Sequence, residues 1–346
     1  MIIKENQTLA PMTTLGVGGA ARWFAEAANE GDVAEATAWA SDRNVPLLVL
    51  GGGSNLVVSD AGFEGLVLHI CLRGVAAEEK GSDQLYRVAA GEDWDAFVTR
   101  AVSENCAGVE CLAGIPGTAG GTPVQNVGAY GQEVAPVVDR VRALDLAGRE
   151  FVEFSAADCG FSYRRSQFNT EDRGRFVVTR VDYRLRSGGA PTIVYPDVQR
   201  ALSQRGGSAG KATLAEVADA VRRIRRAKGM LLVKDDPDCH SAGSFFKNPI
   251  ITEKHFREIA TRGAPPSYPA GPGMMKVPAA WLIEQAGFHK GYQLGAAAIS
   301  SRHTLALVNR GKATAAEILE LAQKISARVE KRFAIRLEME PVKVGF

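Results

Sequence analysis

The residues with the clearest chemical meaning lie between Cys111 and Gln132, CLAGIPGTAGGTPVQNVGAYGQ. The stretch holds Gly114, Gly117, Gly120, Gly121, Gly128 and Gly131, two prolines and no charged residue. Glycine is tolerated at that density where backbone turns through positive φ or approaches another surface with no Cβ in the way. A membrane span is excluded, because the prolines and Gln125–Asn126 interrupt any continuous apolar helix. A flexible linker is excluded by the interleaved Ile115, Val124, Val127 and Tyr130. What remains is an ordered loop whose amides wrap a bulky, phosphate-bearing ligand, with a glycine-rich structural turn as the alternative.

A second loop points the same way. Residues 45–60 read VPLLVLGGGSNLVVSD, an apolar strand running into Gly51, Gly52, Gly53, Ser54 and Asn55 and out into another strand. Three glycines free several amides to face a pyrophosphate, and Ser54 and Asn55 add side-chain donors. The pattern is not the dinucleotide fingerprint, which needs G-x-G-x-x-G opening a helix. GGSAGK at 206–211 is no P-loop either: the first glycine is missing, and Ala212 stands where Ser or Thr must reach magnesium.

These loops need a frame, and the periodicity supplies one. Helices are expected at 30–43 (apolar Val33, Ala36, Thr37, Ala40), at 93–106 with Asp93 as N-cap, at 213–228, 252–261, 279–286 and 314–332. Strands are expected at 45–50 (buried), 66–70, 85–90, 137–146, 176–186, 304–309 and along the final IRLEMEPVKV. The mixture reads as α+β, with a domain boundary at the small, polar 205–212. At 346 residues two or three domains are expected. Forty-one Lys and Arg against 39 Asp and Glu argue for no nucleic acid and no anionic membrane surface. The N-terminus lacks a signal-like apolar core, and no run suits a membrane helix. Five cysteines without CxxC spacing imply buried thiols in a cytoplasmic protein; Cys239–His240 has no second ligand pair, so no metal is expected.

Together the two loops resemble the FAD-binding domain of the UDP-N-acetylenolpyruvoylglucosamine reductase family, and more broadly the vanillyl-alcohol-oxidase (PCMH) type of flavin fold. The resemblance extends through TTLGVGGAARWF (13–24), YRRSQF (163–168), AGSFFKNP (242–249), SYP (267–269), AAWLIEQAG (279–287) and LEMEP (337–341), in the family's order over nearly the whole chain. It implies an α+β protein: an FAD-binding domain in two parts, 1–65 (completed by a C-terminal strand, 335–346) and 66–208, and a smaller α/β substrate domain, 209–334. It also implies noncovalent FAD and NADPH-dependent reduction of UDP-N-acetylglucosamine enolpyruvate to UDP-N-acetylmuramate, for peptidoglycan. NADPH and the sugar nucleotide would share one cleft of a monomer. The alternatives are another FAD-dependent oxidoreductase of this fold acting on a small alcohol, or a non-catalytic binder of nucleotide sugars or RNA built on the basic helix at 222–228.

The resemblance also assigns residues. Cofactor-binding positions are Gly51, Gly52, Gly53, Ser54, Asn55, Gly117, Thr118, Gly120, Gly121, Thr122, Gln125, Asn126, Gly128, Ala129, Tyr130 and Gly131. Ser244 matches the proton donor, and Arg164 the cation that grips the enolpyruvyl carboxylate, although Arg165 follows it here. Glu340 matches the acid/base partner; proline stands one place later than in the family, so Glu338 is the runner-up. Substrate contacts are implied for Tyr163, Tyr195, Lys228, Lys247, Asn248 and Tyr268. Tyr195 favours the tyrosine-loop form of the family. The alternative reading of the arginines around Lys228 is a solvated basic face.

Overall fold

The structure, a computed structural model, describes residues 1–204 and 211–346. Residues 205–210, which carry the expected domain boundary and most of the rejected phosphate-loop motif, lie outside them. The described chain forms two compact units. The first comprises Met1–Gln7, Ala21–Gly53 and Glu64–Ala227; the second comprises Thr8–Ala20, Ser54–Phe63 and Lys228–Phe346.

In the first unit, strands β1 (Ile3–Thr8), β2 (Ala20–Ala27), β3 (Leu47–Leu50) and β5 (Phe63–Ile70) form a sheet in the order β1-β2-β5-β3. The strand expected to be fully buried, β3, is instead an edge: Leu50 is buried but Val49 is 37 % exposed, because β5 covers one flank only. Helix α1 (Glu30–Asp42) starts on a capping box between Asn29 and Asp32 and buries Val33, Ala36, Thr37 and Ala40. A larger antiparallel sheet runs β12-β11-β13-β7-β6, from β6 (Val75–Lys80), β7 (Asp83–Ala89), β11 (Val138–Asp145), β12 (Glu150–Ser155) and β13 (Phe176–Ser187). The short β8 (Cys106–Ala107) pairs with the end of β13.

Helix α2 (Trp94–Ser103) begins at Asp93, whose carboxylate accepts from the Ala96 amide at 2.8 Å. Its Trp94 and Phe97 join Tyr86 and Tyr183 in a buried aromatic cluster with centroids 5.1–5.6 Å apart. Such pairs are worth roughly 0.5–1.5 kcal/mol each beyond the area they bury. Helices α3 (Pro196–Ser203) and α4 (Leu214–Ala227) close the unit; α3, not legible in the periodicity, opens on proline at its first position.

In the second unit, β4 (Leu56–Val58) pairs in parallel with the last strand, β20 (Val342–Val344). Two small antiparallel sheets complete it: β14 (Ile250–Thr252), β16 (Met274–Lys276) and β15 (Tyr268–Pro269); β17 (Gln293–Leu294), β18 (Ala297–Ile299) and β19 (Leu307–Asn309). Helices α5 (Glu253–Ala260), α6 (Ala279–Gln285) and α7 (Ala315–Phe333) pack with them. Two expected strands are shorter than the sequence suggested. That at 304–309 is regular over Leu307–Asn309, and the terminal one over Val342–Val344, since Pro341 has no N–H to offer a ladder. Among the described residues no helix is long and apolar enough to cross a membrane.

One ion-pair cluster fastens α1 to the larger sheet. The Glu30 carboxylate accepts from Arg142 Nε and Nη2 at 2.8 and 3.0 Å and from Thr179 Oγ1 at 2.7 Å. Arg142 holds the Glu30 carboxyl below the usual glutamate range, burial partly opposing it. A carboxyl whose folded pKa is depressed stabilises fully above its unfolded pKa and loses that contribution as pH falls through the folded value. Glu30→Gln should therefore cost about 1 kcal/mol at neutral pH in urea unfolding, the pair being partly exposed. The deficit should shrink toward zero as the medium is acidified below the glutamate range; a deficit independent of pH would mean that packing, not charge, holds α1.

Candidate active site

Within the first unit, Gly51 and Gly52 of one glycine-rich loop meet Gly117 and Thr118 of the other. A Cβ on Gly52 would lie 2.6 Å from Gly117 Cα, and one on Gly51 would lie 2.7 Å from Thr118 Oγ1. Two backbones thus touch where any side chain would part them. Other residues of the second loop are taken by its support. Gly120 donates to Ala90 O at 2.9 Å, and a Cβ on it would stand 2.5 Å from Ala90 Cβ. Thr122 Oγ1 is 2.6 Å from the buried Tyr183 hydroxyl, which also donates to Ala119 O. At Gly121, in contrast, a Cβ would meet nothing within 4 Å, so this position faces open space.

The loop ends in a hairpin, β9 (Gly128–Ala129) and β10 (Gln132–Glu133), turning through Tyr130 at φ 50° and Gly131 at φ 84°. Asn126, buried and itself at φ 45°, braces the base: its amide donates to Glu133 Oε2 at 2.8 Å and Ser162 O at 3.0 Å, and its oxygen accepts from Ala135 N at 3.1 Å. Arg164 lies against this hairpin, with Nη2 donating to Gly128 O at 2.6 Å, Nη1 near Asn126 O, and the guanidinium 5.4 Å from the Tyr163 ring. Arg164 sits at φ 57°, a left-handed backbone that an arginine adopts only when its surroundings impose it. The neighbouring Arg165 is exposed. Tyr195 is 38 % exposed, and its ring stands edge-on to Tyr130 at 5.4 Å.

In the second unit, the AGSFFKNP segment and the chain end form a short antiparallel bridge. Phe246 opposes Met339, Glu340 N donates to Phe245 O at 2.9 Å, and Lys247 N donates to Glu338 O at 2.9 Å. Asn55 Nδ2 donates to Glu340 O at 3.3 Å, and Val342 N to Asn55 O at 2.9 Å. Ser244, Glu340 and Asn55, far apart in sequence, are thereby brought together. The exposed Glu338 is paired with Lys247 Nζ at 2.5 Å, whereas Glu340 is half-buried. Ser244 is half-buried, and among the described residues nothing accepts or donates a hydrogen bond at its hydroxyl. Asn248 Oδ1 accepts from Ala279 N at 2.9 Å, which commits it to the start of α6. The TTLG motif supports the same region: Thr14 Oγ1 donates to Ser241 O at 2.7 Å. Tyr268 lies 54 % exposed on β15, and Lys228 directly follows α4.

Comparison with known proteins assigns this architecture. Residues 21–151 match a family described as an FAD binding domain. Residues 235–344 match the C-terminal domain of UDP-N-acetylenolpyruvoylglucosamine reductase. The proteins of that name from Streptomyces coelicolor and Thermobifida fusca are each 46 % identical over 99 % of this chain and over 90 % and 98 % of their own. That from Burkholderia mallei is 43 % identical over 97 % of this chain and 96 % of its own. This chain belongs to the UDP-N-acetylenolpyruvoylglucosamine reductase family. The crystal structure of the reductase from Thermus caldophilus superposes with a TM-score of 0.69 at 27 % identity, covering 99 % of this chain and all of that one.

A flavin nucleotide of this reductase family fits the residues present. The Gly51–Gly52 and Gly117–Thr118 contact lines up two amide-bearing backbones, Gly121 leaves open space, and no acidic side chain belongs to either loop. Sequence reasoning missed the residues that hold these loops. Asp95 on α2 accepts from Gly114 N at 2.6 Å and from Arg222 Nη2 at 2.7 Å. Arg225, which the sequence allowed on a solvated basic face, is buried and donates from Nε to Gly114 O at 2.9 Å. Glu110, wholly buried, accepts from Gly108 N, Gln132 Nε2 and Thr192 N at 2.7–2.8 Å and so ties the hairpin to the segment before Tyr195. Only the amphipathic period of α4, which put Arg225 on the side of Val217, Val221 and Leu214, signalled any of these in advance.

Gly52→Ala should push the two loops apart, costing about 1–3 kcal/mol of stability and most of the bound flavin. Gly121→Ala should fold as the parent does. Thermal melts and flavin absorbance per chain measure both; equal damage at the two positions would refute the loop-contact reading.

Proposed function

We propose that the chain reduces the enolpyruvyl double bond of UDP-N-acetylglucosamine enolpyruvate with NADPH and a proton, giving UDP-N-acetylmuramate and NADP⁺. The observation that carries this reading is near-full-length membership of the reductase family together with the bridge that holds Glu340 beside Phe245, next to Ser244. Bound FAD would supply the two-electron chemistry. It would be held noncovalently by Gly51–Gly53, Ser54 and Asn55, by Gly117, Thr118, Gly120, Gly121 and Thr122, and by the turn from Gln125 through Asn126, Gly128, Ala129 and Tyr130 to Gly131, with those amides that the loop's own hydrogen bonds leave over.

The protein's own share of the reaction is electrostatic and protolytic. Reduction of an enol ether conjugated to a carboxylate builds negative charge on that carboxylate, and a guanidinium binding it gains strength as the charge grows. Arg164 is assigned this role over the exposed Arg165, because its guanidinium is already held by Gly128 O. The Ser244 hydroxyl delivers the proton to the remaining carbon, and Glu340 is its acid/base partner. The pairing of the exposed Glu338 with Lys247 supports Glu340 over Glu338, the runner-up. Tyr163, Tyr195, Lys228, Lys247, Asn248 and Tyr268 contact the sugar nucleotide, Asn248 through the start of α6 that it caps. The half-exposed Tyr195 beside Tyr130 supports the tyrosine-loop form of the family. NADPH and the sugar nucleotide occupy one cleft in turn, and the protein works as a monomer in the cytoplasm.

An anaerobic spectrum tests the reading. NADPH should bleach the flavin of the purified protein, and UDP-N-acetylglucosamine enolpyruvate should then restore the yellow. Bleaching without recovery would remove the substrate, and a colourless protein would remove the cofactor. Ser244→Ala should leave bleaching by NADPH intact while abolishing recovery; loss of both together would overturn the proton-donor role. Arg164→Ala should cost about 2.7–4 kcal/mol of transition-state stabilisation in kcat, and Arg165→Ala far less.

A further inference from the structure

We propose that Glu26, His69 and Cys71 form a binding site for a soft divalent cation of the zinc class. Glu26 lies on β2 and His69 on the neighbouring β5, with Cys71 two residues beyond on the same side of the chain. His69 Nδ1 is 3.2 Å from Cys71 Sγ and 3.6 Å from Glu26 Oε1, and the three ligand atoms all lie within 4.8 Å of one another. With zinc–nitrogen bonds of about 2.0 Å and zinc–sulfur bonds of about 2.3 Å, a tetrahedral N···S edge is about 3.5 Å. His69 therefore already stands at nearly the separation the ion would impose from both Cys71 and Glu26, with a fourth position left to water.

The chemistry of the donors agrees. Thiolate, imidazole and carboxylate suit zinc rather than magnesium or calcium, and one thiolate and one carboxylate offset its double charge. The ion takes His69 through Nδ1, the ring nitrogen that already faces both Cys71 and Glu26. Cys71 ligates as the thiolate, so binding releases its proton. The positive groups nearby are Lys4, which pairs with the other oxygen of Glu26 at 3.4 Å, and Arg73. Lys4 leaves Oε1 to the metal. Spacing rules miss the set because two strands contribute to it and only His69 and Cys71 are close in sequence.

Cys71 is the single half-buried cysteine, while Cys106, Cys111, Cys159 and Cys239 are buried, so thiol chemistry on the folded protein reports this residue. The test uses flavin-loaded, chelator-treated, full-length protein titrated with Co²⁺ alone. Saturation at one ion per chain is expected, with tetrahedral d–d bands to the red of the flavin absorption, competed by Zn²⁺. Zn²⁺ should also slow modification of Cys71 by a thiol reagent. Cys71→Ser and His69→Ala should each lose these bands while retaining flavin and thermal stability in the absence of metal. No saturable Co²⁺ spectrum, or bands unchanged in Cys71→Ser, would overturn the proposal. Should His69→Ala fail to fold, the surface variant Glu26→Gln serves in its place, with the same loss expected.

Discussion

The second unit depends on a switch of hydrogen-bonding partner at Pro341. Up to Glu340 the terminal segment is paired with residues 245–247; from Val342 onward it is paired with β4, beginning at Asn55. Proline has no N–H, so it belongs where one ladder has ended and the next has not begun. Each bond contributes only about 0.5–1.5 kcal/mol net. Their consequence is geometric: the Glu340 backbone is fixed from both sides, at its amide by Phe245 O and at its carbonyl by Asn55. A carboxylate carried on so constrained a backbone starts from a fixed Cα and has only its side-chain torsions left to order. The same bonds set the register that leaves Glu338 opposite Lys247.

A comparable economy governs the glycine loops. Glycine costs conformational entropy on ordering, so a loop this rich in it must be held by its neighbours. The loop between Cys111 and Gln132 has no charged side chain, and charge is brought to it from outside. Asp95 takes the Gly114 amide, Arg225 the Gly114 carbonyl, and Arg222 completes the link by pairing with Asp95. Further along, the Tyr183 hydroxyl holds Thr122 and Ala119 O from the sheet beneath. Anchors of this kind, together with the loop's own turn bonds, hold the backbone from behind and leave the open face at Gly121 unobstructed.

The sequence was legible where period and composition act locally. Asp93 caps α2 as its side chain predicts, and the apolar face of α1 is the one that is buried. The two glycine loops were legible as loops because no other residue fits where a Cβ on Gly51 or Gly52 would press into Thr118 or Gly117. Partner choice was not legible. Whether β3 is central or at an edge is set by strand order, which no local pattern encodes. The length of the terminal strand depends on which segment faces each side of Pro341. The fate of the α4 arginines is likewise a tertiary matter, since an amphipathic period marks a buried face without saying that a guanidinium will be used to fill it.

Those arginines bear on what the helix can do. A polyanion-binding reading requires a row of solvated cations whose counterions can be released. Arg222 is spent on Asp95 and Thr99, and Arg225 is buried against Gly114 O, where burial lowers its pKa while Tyr130 and Asp95 pull the other way. Two of the four positive charges are therefore engaged within the protein, Arg222 with α2 and Arg225 with the glycine loop. A buried guanidinium is costly unless its hydrogen bonds are made, and here they are made to a backbone carbonyl and a tyrosine at the two ends of a loop that must stay ordered. Half of the basic run at the end of α4 thus anchors the glycine loop, directly through Arg225 and by way of Asp95 through Arg222, and that charge serves the fold before it serves any partner.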